Sequence, residues 1–336
     1  MRKPYALLLS LCCLLLGLTA TPARAADNGS WSVHPVSSEA AARPYFYLSA
    51  DPGQTIDDEV AVANKTAEPL TFRLYAADAY NTARDGGFAV RTADERMRGV
   101  GAWAKPATSR VTVPGHRTVK VPFTLRVPDD AEPGDHPGAI VAIDERIDPG
   151  AGSVALGVRR AVGARVYLRV SGPAVPALAV EDVHVAHRQP LVPGLGDSTA
   201  TVSYTLHNTG NVTLDPKVEL TARGLFGRTL LARDLTGMPA ELLPGQRVRL
   251  TERWRNAPQF DWGKVTLTAH ATGTRQSASA AFLALPWLAA AVCAAAVVGA
   301  ALLVRARRAR RSRARRPSAP VRPAQPTETT TGRARP

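Results

Sequence analysis

Apolar and polar residues alternate along most of the chain. Val119, Val121, Phe123, Leu125 and Val127 fall on one face, and Lys120, Pro122, Thr124 and Arg126 on the other. This is the two-residue period of a half-buried strand. Pro122 has no N–H to give to a ladder, which predicts an edge position for this strand. The same alternation runs through Leu70-Phe72-Leu74, Val166-Leu168-Val170, Val202-Tyr204-Leu206 and Val265-Leu267-Ala269. No helical period appears outside two apolar runs. Short strands separated by Pro, Gly and Asn predict an all-β fold of tandem immunoglobulin-like sandwiches. Residues 26–280 number 255, enough for two domains.

A weak internal repeat supports the division. Val60–Phe72, centred on Asn64, and Val202–Leu214, centred on Asn208, both read as strand, polar turn, strand. Further on, Val113-Pro-Gly115 matches Leu243-Pro-Gly245, and each Pro-Gly turn feeds an alternating strand. From Asn to Gly the spacing is 51 residues in the first half and 37 in the second. The extra length falls within 76–110, where Asp85-Gly86-Gly87 predicts an inserted hairpin. The Gly/Pro segment Ser171–Pro176 predicts a hinge, so the first sandwich is assigned to 26–172 and the second to 173–280.

The two apolar runs have different meanings. Arg2 and Lys3, the run Ala6–Leu18 and the A-x-A site Ala23-Arg24-Ala25 together form a secretory signal, residues 1–25. Ala281–Val304 is a charge-free run of 24 residues, long enough to cross a bilayer as a helix. Pro286 suits its start and Trp287 an interfacial ring. The Arg run from Arg305 to Arg316 marks the cytoplasmic side. The expected topology is a single span, with 26–280 outside and a basic disordered tail, 305–336, inside.

Charge changes the picture only when it is divided. The formal charge is +14, but 305–336 carries eleven Arg and one acid, and 1–26 carries three basic residues. What remains, 27–304, is 28 basic against 27 acidic residues, with no concentrated basic face for nucleic acid. The cysteines, Cys12, Cys13 and Cys293, all lie in the apolar runs, so the exported part has no thiol for a disulfide, a Cys-ligated zinc or nucleophilic catalysis.

Little else points to chemistry. His184-Val-Ala-His187 lacks the helical Glu of a zinc hydrolase, and in a strand its two imidazoles face opposite ways. The acids of Asp129–Asp135 lack the alternate ligands of a calcium loop, and Asp144, Glu145 and Asp148 read as a solvated strand end. No nucleophile elbow, phosphate loop or dinucleotide fingerprint occurs. The expectation is therefore a non-enzyme with no catalytic residue, metal or cofactor. The candidate ligand-contact residues are the aromatics Trp31, Tyr45, Phe46 and Tyr47, since such rings stack on sugars and anchor interfaces. Tyr45 and Tyr47 share a strand face and Phe46 points away, so some of the four belong to the core.

Trp31–Val141 resembles the WxL-interacting protein family, in particular its actinobacterial branch. The residues that carry the resemblance include Arg43-Pro-Tyr-Phe-Tyr47, Asp51-Pro-Gly-Gln54, Val60-Ala-Val-Ala-Asn64, Leu74–Thr82, Gly86-Gly-Phe88, Val111-Thr-Val-Pro114, Val121-Pro-Phe-Thr124 and Pro133-Gly-Asp-His136. The resemblance implies a peptidoglycan-binding N-terminal module and a second, Ig-like module facing other surfaces or partner proteins. The expected function is that of a membrane-anchored envelope protein whose β modules bind peptidoglycan or an envelope surface protein. The alternative is an accessory or assembly subunit that holds an exported partner through a strand edge such as Val119–Val127.

Overall fold

The computed structural model describes residues 26–37, 43–146, 159–190, 192 and 196–314. The signal segment, Asp148 and the tail beyond 314 lie outside these residues. With strands numbered along the chain, one sheet of the first sandwich runs β1 (Ala26–Asp27), β2 (Trp31–Pro35), β4 (Thr55–Asn64), β9 (Thr118–Arg126), β7 (Ala104–Pro106). The facing sheet runs β3 (Phe46–Ala50), β11 (Ala161–Val170), β10 (Gly134–Asp144), β5 (Leu70–Asn81), β6 (Phe88–Val90), with β8 (Arg110–Val113) also on β5. The second sandwich faces β12 (Leu178–Arg188), β13 (Thr199–Asn208), β16 (Arg247–Arg255) against β15 (Thr229–Asp234), β14 (Lys217–Arg223), β17 (Asp261–Ala271), β18 (Thr274–Ala284). The chain thus folds as two tandem immunoglobulin-like sandwiches, each with its own core. One core draws on residues from Trp31 to Val170 and the other on residues from Leu178 to Phe282.

The strands follow the alternation. In β9 and just beyond it, Val121, Phe123, Leu125 and Val127 are buried while Lys120, Thr124 and Arg126 are exposed. The expected edge position of β9 needs correction. The short β7 pairs with Phe123–Leu125, and the Ala107 N–H donates to the Pro122 carbonyl at 2.8 Å. Pro122 is accommodated because its neighbour needs its carbonyl and not an N–H. The inserted hairpin is present, with Asn81 opposite Phe88 across the Asp85-Gly86-Gly87 turn. The insertion also contains a four-residue helix, α1 (Val100–Trp103), that the periodicity does not predict.

The repeat has a side-chain basis. Asn64 is buried, and its amide donates to the carbonyls of Glu68 (2.8 Å) and Val113 (3.0 Å) while its oxygen accepts the Thr66 N–H (2.9 Å). Asn208 does the same with Val212 (2.8 Å), Leu242 (2.9 Å) and the Gly210 N–H (3.0 Å). Each Asn closes its own turn and ties it to the residues just before the Pro-Gly turn. Gly115 is required for close approach, because a Cβ there would lie 1.8 Å from the Ala67 carbonyl oxygen.

Two boundaries differ from expectation. The apolar run assigned to the span from 281 begins as strand: β18 continues to Ala284, with Phe282 and Ala284 buried and Leu283 exposed. The helix α2 spans Trp287–Ala314, and its stretch Ala290–Arg308 is long and apolar enough to cross a membrane. The basic segment continues that helix through Ala314, consistent with the high helix propensity of Arg and Ala. The expected hinge is fastened as well. The Asn211 amide donates to the Pro133 and Pro173 carbonyls (2.8 and 2.9 Å), and its oxygen accepts the Val175 N–H (2.7 Å).

Candidate functional site

The four aromatics separate into two environments. Trp31 and Phe46 are buried in the first core, Trp31 against Phe72 (5.3 Å between centroids) and Phe46 edge-on to Phe123 (5.1 Å). As core residues they are removed from the expected contact set, because strand alternation turns their rings between the sheets. Tyr45 is half-buried and Tyr47 is 67% exposed, both on the outer face.

That face is a built platform. Tyr47 stacks on Tyr167 of β11 (5.3 Å, 12° between planes), and Tyr45 meets Tyr167 edge-on at 5.8 Å. The Arg165 guanidinium lies 4.2 Å from the Phe88 ring centre and 5.4 Å from that of Tyr45. Arg165 donates to the Tyr167 hydroxyl (3.1 Å) and to Glu241 (3.0 Å), and the Tyr167 hydroxyl donates to the Glu241 carboxylate at 2.8 Å. Glu241 belongs to the second sandwich, so the platform is also a clasp between domains. Burial works against the Arg165 charge, yet Tyr167 and Glu241 outweigh it and raise its pKa. Burial foremost, with the nearby Glu241 carboxylate, pushes the Tyr167 phenol far above its ordinary value. Asn81 adds to the clasp, donating to the Glu241 carbonyl (2.7 Å) and accepting the Leu243 N–H (2.9 Å).

The platform lies beside an open edge. β3 pairs in parallel with β11 on one side, and no strand among the described residues pairs with its other side. The Ser171 N–H donates to the Ala50 carbonyl at 2.9 Å, so Ala50 bonds toward β11. Backbone groups alternate sides along a strand, which turns those of Tyr47 and Ser49 outward. The approach to β3 is fixed by Arg43, which grips both oxygens of Asp58 (2.9 Å each) and donates to the Val36 carbonyl (2.7 Å). The Asp58 carboxylate raises the Arg43 pKa.

No family model matches the chain, and no curated protein matches it. Among solved structures it is similar to a chain of the chaperone–tip adhesin complex of CFA/I fimbriae biogenesis, at 9% identity, covering 75% of this chain and 97% of that one, with a TM-score of 0.37. It is also similar to the class 5 fimbriae chaperone CfaA, at 11% identity, covering 75% and 99%, with a TM-score of 0.36. Against the E. coli chaperone DraB the identity is 13%, the coverage 76% and 97%, and the TM-score 0.30.

The remaining candidates divide in the same way. The cleft between the sandwiches is lined by Asp78, Arg98, Asp135 and Asn211 among others, but Asp78 and Asp135 serve the fold. Asp78 accepts the N–H groups of Gly99 (3.1 Å) and Gly101 (2.7 Å), and Asp135 accepts that of Thr213 (2.7 Å). Among the described residues no group of His, Cys, Asp and Glu has the spacing of a metal site.

His184 points out and His187 in, beside Phe282 (5.5 Å), with no hydrogen-bond partner on either ring nitrogen. Burial lowers the His187 pKa, so the unfolded chain binds that proton more readily than the folded one. Stability is therefore expected to fall as pH drops below about 6.5, the ordinary imidazole value. His187→Phe should flatten that fall when thermal midpoints are compared between about pH 7.5 and about pH 5.5. Identical pH profiles for the two proteins would refute the assignment.

Proposed function

We propose that this chain is a membrane-tethered envelope protein that holds an exported partner protein by strand addition to the open edge of β3. The observation that carries this reading is the edge itself: Tyr47 and Ser49 turn backbone groups outward, with no strand among the described residues to pair them, beside an aromatic platform clasped to the second domain. Main-chain bonds to an added strand supply affinity, and pockets or rings for alternate side chains supply selectivity. The partner segment would be extended, with an apolar or aromatic residue against Tyr47. The edge moves from the expected Val119–Val127 to β3, because β7 covers part of the former.

Peptidoglycan binding is the second reading, and the 67% exposure of Tyr47 favours it, since an open ring can also stack on a sugar. Two substitutions in the full chain separate the readings. Ser49→Pro removes an outward N–H and leaves the platform in place. It is expected to abolish crosslinking of a partner protein to a photoreactive residue at position 47, while leaving co-sedimentation with purified peptidoglycan unchanged. If Tyr47→Ala abolishes wall co-sedimentation and Ser49→Pro has no effect on crosslinking, the glycan reading replaces strand addition.

A further inference from the structure

Large apolar side chains exposed on the sandwiches are few, and they gather at one end. Among the described residues before α2 there are seven, and four of them are Phe226 (95% exposed), Phe260 (66%), Trp262 (49%) and Leu283 (57%). Register places these together. Trp262 pairs with Leu283 across β17 and β18, Arg223 at the end of β14 pairs with Lys264, and Phe226 lies in the loop just beyond Arg223. Phe260 immediately precedes β17. All four lie at the end of the second sandwich from which the chain leaves for α2.

The loop that carries Phe226 is held open. Asp261, buried at the start of β17, accepts the N–H groups of Leu225 (2.9 Å) and Trp262 (2.8 Å) and the Arg228 guanidinium (2.9 Å). Burial raises the pKa of this carboxyl, but those three donors outweigh burial and keep it ionised. Phe226 adopts φ +58°, a left-handed conformation that a bulky residue enters only when its surroundings enforce it. A buried carboxylate thus projects a phenylalanine into solvent.

Only Leu285 and Pro286 separate β18 from α2, and the helix is already under way where the Ala290 N–H donates to the Pro286 carbonyl at 3.0 Å. Two extended residues reach about 7 Å, and a headgroup layer is about 5–7 Å thick. The joint therefore keeps this end of the sandwich at the surface of a bilayer that α2 crosses. Exposed Arg188, Arg223, Arg228, Arg255 and Lys264 ring the same end, against Asp197 and the paired Asp261.

We propose that the end of the second sandwich bearing Phe226, Phe260, Trp262 and Leu283 sits within the headgroup layer of an anionic phospholipid bilayer, holding the ectodomain at a fixed attitude. The inference rests on α2 spanning the membrane and is independent of what β3 binds. Aromatic rings supply the interfacial contact and the basic ring faces lipid phosphates.

The test uses the full chain in vesicles of phosphatidylcholine and phosphatidylglycerol, with a nitroxide on a sole cysteine at one of four positions. These are Phe226→Cys, Phe260→Cys, Val175→Cys as an exposed control between the domains, and native Cys293 within α2. Collision with oxygen, enriched in lipid, is compared with collision with a water-soluble nickel complex. The labels at 226 and 260 are expected to give oxygen-to-nickel ratios several-fold above that at 175 and below that at 293. Ratios at 226 and 260 equal to that at 175, with a lipid-like ratio at 293, would overturn the docking while leaving the span intact. Shielding of 226 and 260 from both reagents would assign the face to a protein contact and overturn it too. A water-like ratio at 293 would remove the span and the docking with it.

Discussion

Phe46→Ala is expected to lower the unfolding free energy by about 3–5 kcal/mol, whereas Tyr47→Ala should change it by about 1 kcal/mol or less. Adjacent residues of one strand differ this much because Phe46 is fully buried against Phe123, while Tyr47 is 67% exposed and touches the protein mainly through its stack on Tyr167. Truncating Phe46 leaves a cavity between the sheets. Truncating Tyr47 strips one layer from an outer platform. Chemical denaturation of the two variants measures the contrast. Equal losses would mean that β3 is turned by one residue from the arrangement described, since a one-residue slip exchanges its faces.

Asn208→Ala should also be damaging, at about 1–3 kcal/mol, although it removes no large side chain. One amide satisfies two buried carbonyls, of Val212 and Leu242, and one N–H, of Gly210. The Leu242 carbonyl keeps the Leu214 N–H and the Gly210 N–H keeps the Ala177 carbonyl, so the Val212 carbonyl is the buried group left without a partner, at about 1–3 kcal/mol. Asn208→Asp offers no test of rescue, because a carboxylate cannot donate to the two carbonyls. The expected signature is a lower denaturation midpoint together with faster amide exchange in the 208–214 turn and in the segment leading to Gly245. A loss below about 1 kcal/mol would show that water replaces the amide.

Much of this architecture is legible from the residues. Alternation marks the strands, and the paired Asn and Pro-Gly signals mark two copies of one device, because a polar residue repeated at a fixed place in an apolar frame reflects a bonding duty. Which way β3 faces is not legible. Tyr45-Phe46-Tyr47 shows that the rings alternate, but three aromatics do not say which side is the core. Nor does Tyr167 announce its clasp, since Glu241 is 74 residues away and lies in the other domain. The final strand is hidden for another reason. In Ala281–Ala284 every residue is apolar, so the alternation of burial at Phe282 and Ala284 has no polar counterpart to expose it. The same uniformity conceals the exposed Leu283 within what reads as a span.

The two-residue joint at Leu285–Pro286 has a mechanical consequence. It leaves no slack between the last strand and the helix, so a load drawing the sandwiches away from α2 is taken up by β18. The strand is held by its neighbour β17 in an antiparallel register of eleven residue pairs, from Asp261 opposite Ala284 to Ala271 opposite Thr274. Tension applied at Ala284 along the strand runs across those hydrogen bonds, which lie perpendicular to it. The bonds are then sheared together and not unzipped one after another. The sheet acts as a lap joint.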